Sequence, residues 1–143
     1  MGAGGSGVKP MPTKHSKIMT EKCIECHYYT GKAEVDNTPS EKGGHTFSLD
    51  DRVCAKCHQH DPSDMVAQWK PVIDELAKQL KKLLDEYPEK KSRIYLDAKR
   101  NYGMVVGDKG LNIYGVHNPQ YAEALLKNGI SILMSESTWE KKE

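Results

Sequence analysis

All four cysteines of the 143-residue chain fall into two copies of one pattern, Cys23-Ile24-Glu25-Cys26-His27 and Cys54-Ala55-Lys56-Cys57-His58. Both read C-x-x-C-H, the attachment signature for c-type haem. Two thiols three positions apart reach the two vinyl groups of one porphyrin, and the adjacent imidazole then lies under the iron as its proximal ligand. On that chemistry Cys23 and Cys26 anchor one haem c, and Cys54 and Cys57 anchor a second. His27 and His58 bind the two irons. Two CxxC pairs also suit one structural zinc held by four thiolates, as in a zinc-binding interaction module. Redox dithiols or disulfides are further uses of such pairs. Zinc has no need of a histidine after each pair, and it leaves the remaining histidines unassigned.

Six histidines less two proximal ones leave His15, His45, His60 and His117. Two six-coordinate irons need two distal ligands, so supply exceeds demand by two. His117 is the first candidate: it stands before Asn118 and Pro119, which read as the cap and first residue of a helix. A ligand at such a fixed backbone point meets the iron without a large ordering cost. His15 is the second, shortly before the first motif. His45 follows Gly43 and Gly44, which permit a turn that aims the ring. His60 follows His58 by two positions and on a helical turn points elsewhere, toward the surface or a propionate. Met19 and Met104 are conceivable thioether ligands, although methionines more simply fill packing gaps. The histidine surplus favours bis-His iron and a low potential.

Composition sets the frame around these groups. Hydrophobic residues make up 37% of the chain and there is a single Phe, thin for a core built from protein alone. Two porphyrins would add buried apolar surface. Lys+Arg of 21 against Asp+Glu of 20 gives a formal net charge of +1, without the basic excess of a nucleic-acid binder. No apolar run is long enough to span a membrane. Met1–Gly7 lacks the apolar stretch of a secretory signal and reads as a flexible tail, a linker or an expression scar over residues 1–9. Because c-type haem is attached outside the bacterial cytoplasm, the expected location is periplasmic or extracellular, with a leader removed.

The expected class is mainly α, a multihaem cytochrome c-like single domain over residues 10–143. A loop-rich dihaem-binding half over 10–62 packs on about three helices over 63–137. Gly31, Gly43, Gly44, Pro12 and Pro39 break regular structure in the first half, with each CxxCH on a short helical turn. In the second half Met65, Trp69, Val72, Ile73, Leu76, Leu80, Leu83, Leu84 and Tyr87 recur at helical spacing. Ser63 caps that helix near Asp64, Pro71 kinks it or splits it into two, and Pro88 ends it. Lys78, Lys81, Lys82, Asp85 and Glu86 form its solvated face. A second helix runs from Ser92 to about Val106, with Ile94, Tyr95, Ala98 and Tyr102 on one side. Gly107–Gly110 is a turn. A third helix runs from Asn118 to about Ser135, with Tyr121, Leu125, Ile130, Leu133 and Met134 inward and Gly129 slightly weakening it.

The order of motifs is His15, CxxCH, Gly44-His45-Thr46-Phe47, CxxCH, long helices, then Gly115-Val116-His117-Asn118-Pro119-x-Tyr121-Ala122. Over about residues 13–135 this resembles the carboxy-terminal part of the pentahaem, ammonia-forming cytochrome c nitrite reductases and related multihaem c-type cytochromes. The resemblance implies crossed ligation. His117 would bind the haem of Cys23–His27, and His15 the haem of Cys54–His58. The counterpart of His45 serves a haem attached earlier in the longer family chain, and no such motif exists here. His45 is thereby left as a ligand to a haem of a neighbouring chain, within a homo-oligomer or larger multihaem assembly, as a propionate contact, or as a distal ligand within the chain that frees His15. The family's catalytic haem carries a lysine in CxxCK, and this sequence has no CxxCK. Fold and electron transfer therefore carry over, and nitrite reduction does not. The expected function is electron transfer with redox partner proteins and without a substrate site. The alternatives are a small haem reductase with an open iron site and the zinc module.

Overall fold

The computed structural model describes residues 2–19, 23–27, 51–59, 62–107 and 117–137. Among these residues the chain is mainly α-helical and contains no strand. The helices are α1 (His15–Ile18), α2 (Cys23–His27), α3 (Pro62–Glu86), α4 (Arg93–Val106) and α5 (Pro119–Ser137), with a 3₁₀ turn at Asp51–Lys56. None of the described helices is long and apolar enough to cross a membrane. The chain divides into two compact units, one comprising residues 1–13 and 68–143 and the other residues 14–67. In this division residues 1–13 belong with the helices, and residues 63–67 with the cysteine motifs.

Helix ends in the larger unit follow local chemistry. Ser92 Oγ accepts the Tyr95 amide at 3.2 Å and starts α4. Gly107, at φ 76°, donates its N–H to the Gly103 carbonyl and ends it. Left-handed backbone of this kind is inexpensive only for glycine. Asn118 Oδ1 accepts the Tyr121 amide at 3.0 Å and starts α5, with Pro119 as its first residue. α3 begins at Pro62, before the expected Ser63 cap, since the fixed proline φ suits a first helical position.

Pro71 lies inside one continuous α3 and does not divide it in two. The proline removes the amide that would bond the Ala67 carbonyl. Both residues are exposed, so water can take that bond.

The core joins one stripe from each long helix. Ile73, Ala77, Leu80 and Leu84 of α3 cluster with Ala98 and Val105 of α4 and with Tyr121, Ala122, Leu125, Leu126 and Leu133 of α5. Met134, expected inward, is 53% exposed, and Val72, one of the apolar residues recurring along α3, is 45% exposed. Each sits at the margin of its apolar stripe, where periodicity alone does not choose a side. Lys78, Lys81, Lys82, Asp85 and Glu86 are all exposed, as a solvated face requires. Lys81 and Asp85 pair across one turn at 2.6 Å on this exposed face.

Gly129 does more than weaken α5. A Cβ at this position would lie 2.7 Å from Leu80 Cδ2, and Leu80 is fully buried. The missing side chain lets α5 approach α3. Gly129→Val is therefore expected to destabilise the protein by about 1–3 kcal/mol through overpacking, despite glycine's poor helix propensity. Urea unfolding checks this; an unchanged or higher midpoint would contradict it.

Residues 2–11, of which composition alone reads 2–9 as flexible tail, form a strap on α4 and α5. The Ser6 amide donates to Asn101 Oδ1 at 2.8 Å, and Asn101 Nδ2 donates to the Ser6 carbonyl at 2.9 Å. The Gly5 amide donates to the Tyr121 hydroxyl at 2.9 Å, and Arg100 Nε donates to the Gly4 carbonyl at 3.0 Å. Asn101 is fully buried, and Asn128 Oδ1 takes another of its amide protons at 3.1 Å. Glycine composition reads as coil, but here it permits close approach: a Cβ on Gly5 would lie 2.0 Å from Leu125 Cδ2.

Asp97 adds a charge to this junction. Its carboxyl is held below the usual carboxylate range, first by the hydrogen bond from Arg93 and then by one from Ser6. Arg93 Nε lies 2.9 Å from Asp97 Oδ2. A carboxyl with a lowered folded pKa contributes stability that is complete above the unfolded value, near 3.8, and is lost as pH falls through the folded one. Asp97→Asn is expected to lose less stability than the parent as pH is lowered below about 4. Parallel urea titrations with identical acid slopes would exclude this role.

Candidate metal centre

The smaller unit carries both cysteine motifs. In α2 the first motif occupies Cys23–His27, so Cys23 and Cys26 are one helical turn apart. The 3₁₀ turn carries Val53 and Cys54, and the coil continues through the second motif. The Cys57 amide donates to the Cys54 carbonyl at 3.1 Å, and the His58 amide donates to the same carbonyl at 2.9 Å. Each motif is thus wound on a short helical turn, as expected, and α2 packs beside the 3₁₀ turn. Val53 is buried at the base of the second motif.

The thiols and imidazoles remain accessible to a ligand. Cys26, Cys54, His27 and His58 are half-buried, and Cys57 is exposed. The Cys23 side chain lies outside the described residues. Ile18 and Ile24, next to these groups, are 63% and 55% exposed. Met19 Sδ lies 3.7 Å from Cys26 Sγ, which places this methionine against the first motif. Met104, the other methionine considered as a ligand, lies on α4 with its methyl group over Gly4 of the strap.

The structure brings His15 to the second motif. The His15 and His58 ring centroids are 5.9 Å apart, with planes at 81°. Two imidazoles bound to opposite sides of one metal atom have centroids about 6 Å apart, given nitrogen–metal bonds of about 2.0 Å. The pair therefore fits the spacing of two axial ligands on one iron. The same spacing also suits edge-to-face contact between rings. α1 offers little to fix His15 by packing: it has four residues and none of them is buried.

His117 belongs to the larger unit, is exposed, and immediately precedes Asn118 and the start of α5. His45 and His60 lie outside the described residues. Among the described residues no three of His, Cys, Asp and Glu gather into a group that would hold a bare metal ion. A haem iron asks for only two protein ligands, since the porphyrin supplies four nitrogens. Sequence reasoning did not find Asn101 or the strap; a buried asparagine on an apolar helix face was the signal available. No protein-family model matches the chain, and no curated protein or solved structure matches it significantly.

Proposed function

We propose that the chain is a dihaem c-type cytochrome that moves electrons between redox partner proteins outside the cytoplasm. The observation that carries this reading is the pair of CxxCH motifs, each wound on one helical turn. The His15 ring at ligand spacing from His58 adds support. So do the exposed Ile18 and Ile24, which offer apolar surface to a porphyrin.

Cys23 and Cys26 would hold one haem c through thioether bonds, and Cys54 and Cys57 the other. His27 and His58 would bind the two irons. His15 would bind the second iron; for the first, the family resemblance implies His117. Each haem, when bound, supplies a one-electron ferric/ferrous couple. The protein's part would be to supply two imidazoles to each iron, which would leave no position for a substrate. Imidazole ligands set a lower potential than a thioether would. His45 is proposed as a ligand to a haem of a neighbouring chain. His45→Ala is then expected to change assembly state and haem spectra, and sedimentation with unchanged spectra would end that idea.

The ferric absorption and EPR spectra test the function. Two low-spin centres, with no carbon monoxide binding on reduction, are expected. A high-spin signal would point to an open-iron reductase. A colourless protein with one zinc would point to the four-cysteine module.

A further inference from the structure

We propose that the surface of α4 and α5 beneath the strap is a binding site for a Gly-Gly-Ser-Gly peptide, filled by the chain's own strap and able to take the strap of a second copy instead. The proposal is independent of the haem reading. Asn101, fully buried on α4, meets the same strap residue with both ends of its amide. Its Oδ1 accepts the Ser6 amide at 2.8 Å, and its Nδ2 donates to the Ser6 carbonyl at 2.9 Å. Paired β-strands read main chain by the same double exchange, and here one side chain does it. Ser6 also hydrogen-bonds the Asp97 carboxyl. On the neighbouring residues, Arg100 Nε donates to the Gly4 carbonyl at 3.0 Å, and the Tyr121 hydroxyl accepts the Gly5 amide at 2.9 Å.

The site also selects sequence. A Cβ on Gly5 would collide with Leu125, which is buried in the core. Gly7 holds φ at 68°, where a side chain is strained, and its Cβ would press on the Asn128 amide at 3.1 Å. Asn128 is itself fixed by accepting from Asn101 Nδ2. Val8 then packs against the core cluster. These contacts ask for one peptide, and every copy of the chain carries it. The strap of a second copy makes the same contacts, so effective concentration and not affinity chooses between the two. The chain passes through residues 14–67, which form the other unit, before it reaches α4, so the strap's own tether to its site is long. Pro10 and Pro12 favour extended backbone at Lys9 and Met11, where the chain leaves the site.

The test uses the full chain with strap and site uncoupled. Gly5→Leu keeps the site and cannot seat its own strap. Asn101→Leu keeps the strap and deprives Ser6 of both amide partners. Each alone is expected to sediment as a monomer and to lose hydrogen-exchange protection over residues 2–11. Mixed, they should form a heterodimer in which the Asn101→Leu copy regains that protection. Ser6→Pro takes the place of Gly5→Leu if the latter does not fold, since it removes the amide that Asn101 accepts and leaves every core side chain as it is. A synthetic peptide of residues 2–11 takes the place of the Asn101→Leu copy in the same way. That peptide should bind the strap-released protein, and the same peptide with Gly5→Ala and Gly7→Ala should bind at least about tenfold more weakly. The proposal is overturned if the mixed variants stay monomeric with both straps unprotected, if neither peptide binds, or if the alanine peptide binds as tightly as the native one.

Discussion

The Cys54→Ala/Cys57→Ala variant is expected to hold one covalent haem where the parent chain holds two. On the dihaem proposal the second motif depends on these two thiols for its thioether bonds. Without them only the axial imidazoles remain, and denaturation removes a haem held in that way. The backbone turn through Cys54, Cys57 and His58 rests on main-chain hydrogen bonds to the Cys54 carbonyl, so alanine leaves it intact. The first motif in α2 is unaltered and keeps its own porphyrin. Haem stain and absorbance after denaturing electrophoresis should fall by half. A zinc site made from all four cysteines would lose its metal entirely and show no colour before or after the substitution. Two covalent haems in the variant would show that these thiols are not the attachment points.

His15→Ala is expected to open one iron and leave the other closed. The His15 and His58 rings stand 5.9 Å apart, the spacing of two ligands on one metal. α1 is a single turn whose hydrogen bonds are local, including Met19 N–H to the His15 carbonyl at 3.0 Å. So short a helix has little stability of its own. If His15 binds iron, the metal is what fixes this turn, and its loss is large and specific. One of two ferric haems should become high-spin, and carbon monoxide binding should rise from none to one per chain. His15→Met should instead keep six ligands and raise that haem's potential. If His15 merely packs edge-to-face on His58, both spectra stay as in the parent.

What could be read beforehand depended on how local each signal was. The cysteine motifs, the Asn118 cap and the Pro119 start are complete within a few residues, and they stand in the structure where their spacing put them. The three long helices follow from apolar periodicity for the same reason. Met134 reads as inward because it adjoins the apolar stripe; only the partner helices decide which margin is covered. Gly129 looked like a propensity defect because its reason, the Leu80 side chain of α3, is distant in sequence. The N-terminal glycines were taken for coil on composition. Glycine gives a chain freedom and also lets it lie tightly on a helix, and the choice is made by Asn101, Tyr121 and Leu125 far along the sequence. Asn101, as a buried polar residue, needed such a partner. His45 and His60 lie outside the described residues.

The stoichiometry of covalent haem tests the central claim most directly. The chain should be purified from a host that matures c-type cytochromes, fully denatured, and examined by intact mass and by its pyridine haemochrome spectrum. The account predicts a polypeptide heavier than its sequence by two haem groups, with the haemochrome giving two haems per chain. A mass equal to the bare sequence, with no absorbance beyond that of its aromatic residues, would contradict it.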